Sequence, residues 1–265
     1  MRRYGFTLIE LMVVMAVVSV LMGVLMPVLA RARQQGRSIV CLSNLRQLAI
    51  AAQVYVNNND GYYPIAYRKK FLDSISIFYC WDFTTIKYWD TGEIKVVPGL
   101  LWEGRTIEKI QQCPSFKGSP NWLDDPYTGY NYNTSYIGHG QMESITEPAM
   151  AVAVKKPGEC ALFGDGEYGG ISEKFCERRA NKFMRAPWPN KGDASFSGRK
   201  AGTQGYRHCG KTNVVFCDGH AQSWSQRYIE TDPLDKAILE KYNNDSRNEV
   251  KVGFLSADNS MYDLE

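Results

Sequence analysis

The apolar positions of this chain change period several times, and each change marks an element. From Phe6 to Ala30 the sequence FTLIELMVVMAVVSVLMGVLMPVLA is apolar all round for 25 residues, with Glu10 its one formal charge. As a helix, at about 1.5 Å per residue, it is long enough to cross a hydrocarbon core of about 30 Å. After Ala30 the pattern thins to one face. Leu42, Leu45, Ala49, Ala52 and Val56 recur at helical spacing, with Leu48 and Tyr55 widening the stripe. Asn57-Asn58-Asn59-Asp60-Gly61 then supplies turn residues that end it. The expectation is one helix over residues 6–58, roughly 75–80 Å long. Residues 6–30 would be its transmembrane part and the remainder a spine under a head domain at 59–265.

Beyond Tyr62 the signals shorten to strand length. IKYWD and EIKVVPG, separated by Thr91-Gly92, predict a hairpin. MAVAV (150–154) and CALFG (160–164) predict strands, SEKFCERRANKFM (172–184) a short helix, and PLDKAILEKY a helix opening the tail. TNVVFCDGHAQSW predicts a hairpin with a two-residue turn at Asp218-Gly219. That register sets Val215 opposite Gln222 and Phe216 opposite Ala221, with Val214, Phe216 and Ala221 on one face. The fold class is therefore α+β: a long N-terminal helix packed on an antiparallel β-rich head.

Composition narrows the function. A net charge of +3 on 265 residues gives no argument for nucleic acid. Sixteen tyrosines and six tryptophans suit a loop-rich β protein or a sugar-binding surface equally. Seven cysteines, at 41, 80, 113, 160, 176, 209 and 217, allow three bridges and a spare thiol in an exported chain. Gly-x-Ser-x-Gly, His-Glu-x-x-His and a phosphate-cradling Gly-Lys-Ser do not occur, and no enzyme activity is expected.

The N-terminus carries the most specific chemistry. Arg2 and Arg3 precede Gly5, and Glu10 sits inside the apolar run. A carboxylate in a membrane span costs about 2.5–3.5 kcal/mol, so it calls for a partner. Cleavage after Gly5 would place a new amine on Phe6, one helical turn before Glu10. Ala30-Arg31-Ala32 offers a competing signal-peptide cleavage site, but the apolar run exceeds a 7–15-residue h-region. Pro27 lacks the amide hydrogen that would reach the carbonyl of Gly23, which marks a kink or soft point.

RRYGFTLIELMVVMAVVSVLMGVLMP resembles a type IV prepilin leader and the first half of a pilin helix. The resemblance implies a leader at residues 1–5, prepilin peptidase cleavage between Gly5 and Phe6, N-methylation of Phe6, and an assembly role for Glu10. It implies a pseudopilin-like subunit of a type II secretion-like or type IV pilus-like filament. Its partners would be the bacterial inner membrane, the peptidase, other pilin-like subunits and the secretion-system assembly platform. The N-terminus would be cytoplasmic and the head periplasmic. His208, Asp218 and Gly219, as His-x9-Asp-Gly, resemble the C-terminal signature of a prepilin-type family named for that motif. CLSNLRQLAIAAQVY (41–55), CPS (113–115), GYNYN (129–133) and LFGDG (162–166) carry the same resemblance. The tail from Tyr228 is unmatched.

Three candidate sites follow, each with a plain structural alternative. Cys41 and Cys113 form either a disulfide or two buried thiols. Asp165, His208, Asp218 and His220 either gather around zinc or manganese or make structural hydrogen bonds. Asp165 and Glu167 could assist calcium, although one loop with two acids falls short of six to eight oxygen ligands. The alternative function is a membrane-anchored, surface or periplasmic carbohydrate-binding module using the aromatic residues.

Overall fold

The computed structural model describes residues 7–102, 109–120, 125–139, 147–169, 178–190 and 198–265. Gly5, Phe6, the expected leader, Cys176 and the first part of the expected helix at 172–184 lie outside them. One helix, α1 (Leu8–Asn58), runs unbroken through Pro27. It begins on a capping box. Thr7 Oγ1 accepts from Glu10 N, and the Glu10 carboxylate accepts from Thr7 N at 2.8 Å. It ends where Gly61 takes a positive φ of 82°, which glycine adopts without the Cβ penalty.

A meander follows: β1 (Tyr67–Leu72), β2 (Ile75–Cys80), β3 (Phe83–Tyr88) and β4 (Ile94–Pro98), paired antiparallel in that order. The hairpin expected around Thr91-Gly92 is β3–β4. Tyr88 N donates to Glu93 O, which leaves four residues in the loop rather than two. The remaining strands are β5 (Asn131–Asn133), β6 (Ala161–Gly164), β7 (Tyr168–Gly169), β8 (Arg178–Arg179), β9 (Phe183–Met184), β10 (Gln204–Gly205), β11 (Thr212–Phe216), β12 (Ala221–Trp224) and β13 (Val252–Gly253). Helix α2 (Pro233–Asn244) opens the tail as expected, capped by Asp232. The central sheet has the order β12-β11-β6-β5-β9, antiparallel except for the β5–β9 pair.

Two expectations fail locally. MAVAV is not a strand, because Ala151–Ala153 form a 3-10 turn after Met150 bridges Tyr62. Residues 178–184 are not helical. Arg178–Arg179 and Phe183–Met184 each pair with another strand, and sheet contacts outweigh a weak helical pattern there.

The two halves of α1 differ completely in burial. Leu8 to Leu29 are exposed, with Leu8, Val20 and Met26 at 72%, 68% and 71%. Cys41, Leu45, Leu48, Ala52 and Val56 are buried, and they pack against β11, β12 and β6. The stripe is thus centred on Cys41 rather than Leu42, which lies at its edge. Beyond the helix, Tyr132 stacks on Phe163 at 5.0 Å and Trp81 packs tilted against both, with ring centroids 5.8 and 5.1 Å away. Trp81 and Trp102 are core residues, so much of the aromatic content is spent on packing.

Candidate functional site: an exposed apolar helix and a buried ionic knot

The N-terminal half of α1 presents apolar side chains on every face, and its most apolar 18-residue window has no part buried. In water such a surface is unsupported; it requires lipid or other helices around it. Within it, Glu10 is held by its own cap. The carboxylate Oε2 accepts from both the amide and the hydroxyl of Thr7, each at 2.8 Å. The acid is therefore fixed at the first turn of α1, four residues after Phe6 in the sequence.

The head holds a second concentration of chemistry, where α1 meets the sheet. Asp165 follows β6 and is fully buried. Its Oδ1 accepts from Arg207 Nη2 at 2.9 Å and from Cys41 Sγ at 3.2 Å. Its Oδ2 accepts from Asn213 N at 2.8 Å and lies 3.1 Å from His208 Nε2. Arg207 reaches Glu167 Oε2 at 3.0 Å and Cys113 Sγ at 3.3 Å, and its Nη2 also donates to the carbonyl of Gly129. Glu167 in turn pairs with Arg178. The turn that delivers Arg207 and His208 is tight. His208 and Lys211 exchange backbone hydrogen bonds, and Cys209 and Gly210 between them both have positive φ. Such a two-residue turn demands left-handed residues at both positions.

These contacts set the charges. Burial pushes the Asp165 pKa up, but Arg207 and His208 outweigh it and hold it at about 2. Burial also opposes charge on His208, yet Asp165 raises it to about 9. For Cys113, burial raises the thiol pKa; Cys41 and Arg207 overcome that and bring it to about 5. Cys41 goes the other way, pushed well up by burial and by its contact with Cys113.

Of the expected metal set, the structure brings Asp165 and His208 together and leaves Asp218 and His220 out. The five residues of β11, at roughly 3.3 Å each, carry the hairpin tip away from His208. There the half-exposed His220 Nδ1 pairs with Asp218 Oδ1 at 2.6 Å, and its ring stacks on Phe216 at 4.5 Å. The hairpin register also differs from expectation by one residue. Val215 faces Ala221 and Val214 faces Gln222. Phe216 N donates to His220 O, so the loop is Cys217-Asp218-Gly219, with Gly219 at φ 89°. A three-residue loop of this kind ends on a left-handed residue. Val214 and Phe216 then face one core, while Val215, Cys217 and Ala221 face the other.

The Asp165 and Glu167 carboxylates pair with Arg207 and Arg178, and Asp165 also meets His208. Cys41 and Cys113 do meet, one from α1 and one from the CPS loop. Their sulfurs stand 4.0 Å apart as free thiols, outside the bond length of about 2.05 Å. The other four described cysteines are free thiols too. Two members of the knot, Arg207 and Asn213, carried no sequence signal. Arginine beside His208 reads as an ordinary surface residue until its burial is known.

Comparison with protein families matches residues 1–26 to the prokaryotic N-terminal methylation motif. Comparison with curated proteins and with solved structures gave no match. Residues 1–26 thus resemble the N-terminus of type IV prepilin- and pseudopilin-like proteins, and the helix they open is long and apolar enough to cross a membrane.

Proposed function

We propose that the protein is a structural filament subunit. It inserts in the inner membrane with its N-terminus in the cytoplasm and its head in the periplasm. A prepilin peptidase cuts between Gly5 and Phe6 and methylates Phe6. Subunits then leave the bilayer and assemble helix against helix into a short pseudopilus or pilus-like filament, built on a secretion-system platform.

The observation that carries this reading is the contrast along α1. Its first half, inside the methylation motif, buries nothing, while its second half is fixed to the head. Lipid covers the first half in the precursor, and neighbouring helices cover it in the polymer. Glu10 supplies the register: once assembly encloses it among apolar side chains, it gains most by meeting the Phe6 amine of its own or an adjacent subunit. Mass spectrometry of the N-terminus from native membranes tests the reading. It should find N-methyl-Phe6. A chain beginning at Arg33, or one retaining Met1, overturns it.

A further inference from the structure

We infer that Cys41, Cys113, Asp165 and His208 bind a zinc ion that clamps the spine helix to the head. All four residues are buried, and one ligand atom from each lies within 4.8 Å of all the others. Cys113 Sγ is 3.7 Å from His208 Nε2, and the two sulfurs are 4.0 Å apart. Cys41 Sγ is 3.2 Å from Asp165 Oδ1, and His208 Nε2 is 3.1 Å from Asp165 Oδ2. With zinc–sulfur bonds of about 2.3 Å and zinc–nitrogen or zinc–oxygen bonds of about 2.0 Å, the edges of a tetrahedron are roughly 3.3–3.8 Å. The sulfur–sulfur and sulfur–nitrogen distances are close to such edges, one or other Asp165 oxygen stands at the remaining corner, and no pair of ligand atoms is more than 4.8 Å apart.

The donor set selects the metal. Two sulfurs, one imidazole nitrogen and one carboxylate oxygen suit zinc; calcium and magnesium require oxygen ligands throughout. Charge also balances. The ion brings +2, two thiolates and Asp165 bring −3, and Arg207 brings +1. Binding displaces two protons, one from Cys41 and one shared by Cys113 and His208, so the buried charge is unchanged. The surroundings already orient two of the ligands. Asn213 N holds Asp165 Oδ2 at 2.8 Å, while Arg207 Nε holds Cys113 Sγ at 3.3 Å. Cys41 comes from α1 and the other three ligands from the head, so the ion joins the two where filament load would pass between them.

The test uses the full chain, purified in detergent without chelator. Elemental analysis should give one zinc per chain, and X-ray absorption should show a shell of two sulfurs and two lighter atoms. Cys113→Ser and His208→Ala should each lower zinc affinity by at least about tenfold. Asp218→Asn and His220→Ala, at the hairpin tip, should leave it unchanged. Should the ligand variants fail to fold, cobalt substitution of the wild type provides a second measurement. A thiolate-to-cobalt charge-transfer band with tetrahedral d–d intensity is expected. Failure of the wild type to take up zinc or cobalt overturns the inference. So does a metal shell without sulfur, or a native chain two hydrogens lighter with Cys41 and Cys113 joined in a disulfide.

Discussion

Arg207 and Asp165 face each other at 2.9 Å in the core, 42 positions apart in sequence, each almost fully removed from water. Neither side chain would be tolerable there alone. Arg207 also answers Glu167, so a single guanidinium balances two buried acids, with Arg178 sharing the second. Arg207→Met should therefore destabilise the protein by about 3–5 kcal/mol, since it strands Asp165 without its main counter-charge. Denaturant unfolding of the full chain in detergent measures this. A loss under about 1 kcal/mol would mean that His208 alone suffices.

Glu10→Gln keeps the shape of the side chain and its capping contacts with Thr7, but not its charge. The variant should insert and be cleaved normally, yet fail to enter filaments. Shearing cells and comparing filament and membrane fractions reads this out. Wild-type levels in the filament fraction would show that the charge does not align subunits.

The division of α1 predicts opposite outcomes for two neighbouring residues. Leu48 is fully buried, whereas Ile50 is 64% exposed. Leu48→Ala should cost about 2–5 kcal/mol through a cavity between helix and sheet. Ile50→Ala should stay within about 0.5 kcal/mol. Equal effects, measured by the same unfolding assay, would mean that this face of the helix is covered in the protein.

Asp235 caps the turn before β10, accepting from Gly198 N at 2.8 Å and from Lys200 N at 3.2 Å, and it pairs with Lys200 Nζ. Burial opposes its charge, but the bonds to Lys200 prevail and its pKa is lowered. A lowered folded-state pKa gives stability that is present above the unfolded value of about 3.9 and lost as pH falls through the folded value. Asp235→Asn should cost about 1–3 kcal/mol at pH 7. The gap between wild type and variant should close as pH drops below about 4. A gap independent of pH would assign the effect to shape instead of charge.

Much of this architecture was legible in residue order. The apolar run, its change to a one-sided stripe and the turn at Asn57–Gly61 locate a helix observed as Leu8–Asn58, because helical spacing is a local property. The hairpin at Asp218-Gly219 was visible but its register was not. Two-residue and three-residue loops share the Asp-Gly signal, and only the bond from Phe216 N to His220 O selects the longer one. A two-residue turn just upstream, Cys209-Gly210, lacks the common Asn-Gly or Asp-Gly signature.

The sequence by itself determined the long helix, the methylation motif and the α+β class, since each is written in contiguous residues whose periods or chemistry stand alone. Tertiary structure decided which histidine meets which acid. His208 and Asp218 are ten residues apart in the chain, yet a strand between them separates the pair, while Cys41, Cys113 and Asp165 come from far along it to meet His208. Sequence distance says little about such meetings, because buried charges and thiols settle where packing from several elements supplies partners.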